Sequence, residues 1–100
     1  MNFRIIKSPS EGTLNIIMQR IGAGVEKKLN CVDAVGLVQG KMLDMIYVAD
    51  IAEKAVGVTV ADVRGSCPQN MILIAIFGDT ASVESAMQEI KRKMEEGMEL

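Results

Sequence analysis

The run Met71-Ile72-Leu73-Ile74-Ala75-Ile76-Phe77 contains no polar side chain. Successive side chains of a strand point to opposite faces of its sheet, so an unbroken apolar run must be covered on both. It predicts a central strand, ended by Gly78. Upstream, Ala34-Val35-Gly36-Leu37-Val38 predicts a second strand ending at Gly40, and Val58 to Val63 a third. Between these two, Met42, Met45, Ala49, Ala52 and Val56 recur at three- and four-residue spacing. That spacing predicts a helix from Lys41 to Val56 with those residues as its buried stripe. After Gly78, Asp79 or Thr80 is placed to cap a last helix. Its core stripe is Val83, Met87, Ile90 and Met94, and the tail from Gly97 is expected to fray. Met42, Met45, Met87 and Met94 thus read as core filling and not as metal ligands.

The first third of the chain is less regular. Arg4-Ile5-Ile6 is a short apolar run that stops at Ser8-Pro9-Ser10-Glu11-Gly12, a cluster with turn chemistry. Leu14, Ile16, Ile17 and Met18 predict a strand over Thr13 to Ile21. Gly22-Ala23-Gly24 breaks it, and a short helix from Val25 to Asn30 follows. A dinucleotide fingerprint would need a third glycine where Lys27 stands, so Gly22 and Gly24 read as a turn. From residue 33 the order is strand, helix, strand, loop, strand, helix, after a short strand–strand–helix lead. One domain over residues 1–100 is expected. Its class is α+β, a ferredoxin-like two-layer α/β sandwich with helices on one face of an antiparallel-containing sheet.

Composition removes several function classes. The 100 residues include no His and no Trp, and their net charge is −2. Without His the chain lacks the commonest general base and transition-metal ligand, and no Ser–His or Cys–His pair can exist. Phe3, Tyr47 and Phe77 are the only aromatics, too few for base-stacking platforms. Lys91, Arg92 and Lys93 form the one cationic cluster, and Glu89, Glu95 and Glu96 flank it. This reads as a salt-bridged helix face and not as a nucleic-acid footprint. Asp44, Asp50 and Glu53 read as a solvated or interface face and not as paired acid–base carboxylates. No transmembrane run or signal-peptide layout is present, so a cytoplasmic protein with reduced Cys31 and Cys67 is expected. Finally, 49% of the residues are hydrophobic and the mean hydropathy is +0.23. A small domain with that surplus of apolar surface is expected to bury some of it between subunits.

The ordered set of elements resembles the shell domain of bacterial microcompartments. Ala34-Val35-Gly36-Leu37-Val38 opens it, and the helix carries Ala49-Asp50 and Lys54-Ala55. A strand, a Gly-containing loop and the apolar strand running into Gly78-Asp79 follow, with Val83 beyond. In the resembled family the loop lines a pore. Arg4-Ile5-Ile6, Thr13-Leu14, Lys27-Lys28-Leu29 and Asp33-Ala34-Val35 come before this set. That order is similar to the circularly permuted shell proteins of ethanolamine and propanediol compartments. It is most similar to the glycyl-radical propanediol-utilisation type. Some permuted relatives carry a longer leading segment that caps the pore. Only Met1, Asn2 and Phe3 precede the Arg-Ile-Ile run here, so an open pore mouth is expected.

The resemblance implies a cyclic hexamer, contacts with other shell proteins and with lumenal enzymes, and no nucleic-acid or membrane partner. It implies a pore lined by Gly65, Ser66, Cys67 and Pro68. It also implies an edge contact by Lys54, whose long amphipathic stem suits flat packing between rings. The glycyl-radical group is thought to hold an iron–sulfur cluster at the pore, which makes Cys67 the candidate metal ligand. A cluster usually takes about four thiolates, and one chain has no Cys-x-x-Cys, so the site would be shared between subunits around the axis. A four-iron cluster could then take its ligands from several subunits, and because a cubane offers fewer iron corners than six thiols, it would break the symmetry or leave the site partly occupied. Gly65 lets the backbone approach, Ser66 and loop amides can donate to sulfides, and Pro68 stiffens the loop. Cys31 reads as a packed small hydrophobe. The expected function is a structural, non-enzymatic shell subunit whose cluster serves electron transfer or cluster transport. The alternative is a ferredoxin-like regulatory module that binds a small molecule at a subunit interface.

Overall fold

The computed structural model describes residues 1–21, 32–65 and 71–96. Its elements are β1 (Asn2–Lys7), α1 (Glu11–Met18), β2 (Ala34–Lys41), α2 (Met42–Glu53), β3 (Val58–Val63), β4 (Met71–Gly78) and α3 (Thr80–Glu95). The strands form one antiparallel sheet in the order β1-β2-β4-β3. The apolar run is therefore an inner strand, as its composition predicts. β2 and β3 flank it, both antiparallel to it and so parallel to each other, which makes β2-α2-β3 a split β-α-β unit.

Alternation along the strands divides the core in two. Ile74 and Ile76 of β4 and Val38 of β2 pack with Met45, Val48, Val83, Met87 and Ile90 beneath α2 and α3. Ala75 and Phe77 of β4, Val35 of β2 and Ala61 and Val63 of β3 form a second cluster with Ile17 and Ile21. The expectation of helices on one face is thus corrected, because α1 lies on the other face. Side chains such as Phe77 and Val35 are nearly or fully buried there, and each stabilises the fold by about 1.5–3 kcal/mol once removed from water.

The expected strand over Thr13 to Ile21 is also corrected, to the helix α1. Ser10 is its cap: the hydroxyl accepts a hydrogen bond from the Thr13 amide at 3.2 Å. Leu14, Ile17, Met18 and Ile21 then share the apolar side, at a spacing of three, four and seven residues that only a helix turns to one face. The turn cluster before it was half right, since the chain bends at Ser8, whose φ is +49°. The Ser8 amide donates to the Asp33 carbonyl at 2.8 Å, and the Asp33 amide to the Gly78 carbonyl at 3.1 Å. These bonds tie the ends of β1, β2 and β4 together.

In α2 the buried side chains are Met45, Val48, Ile51 and Ala52. Met42 and Val56, expected in the stripe, are exposed. Val56 lies beyond the helix, and Met42 starts it on the outward side. In α3 Val83, Met87 and Ile90 are buried and Met94 packs at the margin of the core, as predicted. The helix expected over Val25 to Asn30, Cys31 and the tail from Gly97 lie outside the described residues.

Candidate pore loop and assembly edge

The register of the sheet places the strand ends that flank the expected pore loop at one end of the molecule. β3 runs to Val63, opposite Leu73, and β4 begins at Met71, opposite Lys41. The end of β3 and the start of β4, which flank that loop, therefore lie beside the start of α2. Asn2 pairs with Gln39, so Met1 reaches the same end. The Arg64 amide donates to the Arg20 carbonyl at 2.7 Å, which pins the base of the loop to the segment after α1. Gly65 is exposed. Ser66, Cys67 and Pro68 lie outside the described residues.

Lys54 stands at the other end of α2, as its C-cap. A helix of this length is about 18 Å long, so the strand ends that flank the loop and the candidate edge residue are well separated. The side chain of Lys54 is 75% exposed, and its Nζ lies 2.8 Å from Asp50 Oδ2. The hydrogen bond to Asp50, and then the charge of Asp50, raise the ammonium above its ordinary pKa. Val56, 90% exposed, lies just beyond it. A surface groove of about 850 Å³ opens alongside between α2 and α3, lined among others by Tyr47, Asp50, Lys54, Ser85 and Arg92.

The other charges behave as a solvated face. Arg92 bridges Glu89 at 2.9 Å and Glu96 at 2.6 Å, as the flanking carboxylates predict. Lys91 sits over the Phe3 ring, 5.1 Å from its centre. No polar or charged residue is buried among the described residues. Nor does any group of three or more acidic or thiol side chains there surround a metal-sized space. Asp50 and Glu53 are exposed and Asp44 is half-buried on α2, the solvated placement expected of them.

Sequence reasoning missed Leu43 and Ile46. They are 83% and 63% exposed on the outer side of α2. Positions 43, 46, 50 and 53 share that side at helical spacing, so a helical wheel would have found them once Met42 was not forced into the core.

The fold and its two ends define a class. A family model, the BMC domain, matches residues 34–100, and the chain belongs to that family of bacterial microcompartment shell domains. Among solved structures, it is similar to the ligand-free GrpU microcompartment shell protein from Clostridiales bacterium 1_7_47FAA. The two share 54% identity over 97% of this chain and 95% of that one, with a TM-score of 0.76. It is also similar to the ligand-free GrpU microcompartment shell protein from Pectobacterium wasabiae. There the identity is 30%, over 90% of this chain and 99% of that one, with a TM-score of 0.75. No curated protein matches. The chain is thus a microcompartment shell protein of the GrpU-like kind, a structural component and not an enzyme. No helix among the described residues is long and apolar enough to cross a membrane.

Proposed function

We propose that this chain is a circularly permuted, ring-forming shell subunit, hexameric, with the Gly65–Pro68 loop around a central pore and Lys54 at the rim. The observation that supports the reading is that the strand ends flanking this loop and Lys54 lie toward opposite ends of α2, in a chain of the shell-domain family. A subunit that tiles needs one end at an axis and the other at a neighbour. The permutation is supported by the strand order, because β1 precedes the family-matched residues yet completes the sheet beside β2. Other shell proteins, and enzymes enclosed by the shell, are the partners such a subunit meets.

At the pore, Cys67 is the residue that would hold an iron–sulfur cluster, of the four-iron type. The donor set fits only in an assembly. One chain brings a single loop thiol, whereas a ring brings several to one point, and a cubane needs about four. Gly65, exposed at the base of the loop, leaves room for close backbone approach. Such a cluster supplies one-electron chemistry or is itself the cargo moved across the shell.

The test is anaerobic purification with iron reconstitution of the wild type and of Cys67→Ser. Expected are a brown wild type and a colourless variant, with fewer than about one iron per chain if one four-iron cluster serves a whole ring. A colourless wild type that still forms rings would leave a passive pore. Two or more irons per chain would mean a site within the protomer and not at the axis.

A further inference from the structure

We draw no further inference here: the strongest candidate, the surface groove of about 850 Å³ between α2 and α3, pairs Asp50 with Lys54 and Glu89 with Arg92 within its own walls, and nothing in the structure shows what covers it.

Discussion

Gly57 and Gly78 meet where the turn after α2 crosses the end of β4. A methyl on Gly78 would stand 2.7 Å from the Gly57 carbonyl oxygen. Gly57 itself has φ +82°, and a methyl there would meet Ser82 Oγ at 2.8 Å. Gly36 is also crowded, but by the Met87 thioether at 2.7 Å, a flexible side chain that can shift. Gly78→Ala should therefore destabilise the fold by about 1–3 kcal/mol, and more than Gly36→Ala does. Thermal unfolding of the two variants checks the order. An unchanged melting temperature in Gly78→Ala would mean that the backbone at the crossing yields to the added methyl.

Each helix is held by a different device. For α3 the start is set by Asp79, whose carboxylate accepts from the Ser82 amide at 3.4 Å. The Ser82 side chain first, and then backbone amides, hold the Asp79 carboxyl below its ordinary pKa. A carboxyl lowered on folding contributes stability that is present above its unfolded pKa and is lost as pH falls through the folded one. The stability difference between wild type and Asp79→Ala should thus be full near neutrality and shrink below pH 3.8, the ordinary value. Urea midpoints across that range measure it. A pH-independent difference would assign the cap to helix propensity and not to the charge. For α1 the device is the Ser10 hydroxyl, and the sequence reading took Ser10 as part of a turn. Turns and helix caps use the same residue types. What separates them is the apolar spacing that follows, and Leu14, Ile17, Met18 and Ile21 carried it. Ile16, exposed, broke the pattern and made the segment look like a strand.

As a whole the subunit presents two ends with different chemistry. Lys54→Glu places a carboxylate beside Asp50 and Glu53 at the rim. On the proposed function, it should abolish extended sheets while leaving the ring intact. Negative-stain imaging alongside size exclusion reads both, and a variant with broken rings would move Lys54 into the ring contact.

The sequence by itself determined the central strand, its two neighbours, the last helix and the family. These rest on local patterns: an unbroken apolar run for β4, short apolar segments for β2 and β3, and a regular stripe with a capping Asp for α3. It also marked Gly65–Pro68 and Lys54 through the resemblance, because loop position and the Ala49–Ala55 pattern are read along the chain. Only the tertiary structure decided which face α1 covers, because that depends on which sheet side lacks a helix. Only it showed that Met42 points outward, since the phase of a helix relative to its sheet is set by packing and not by spacing alone. The same phase turned Leu43 and Ile46 to the surface. A periodic sequence shows that an apolar stripe exists, but only packing shows which apolar residues are left uncovered.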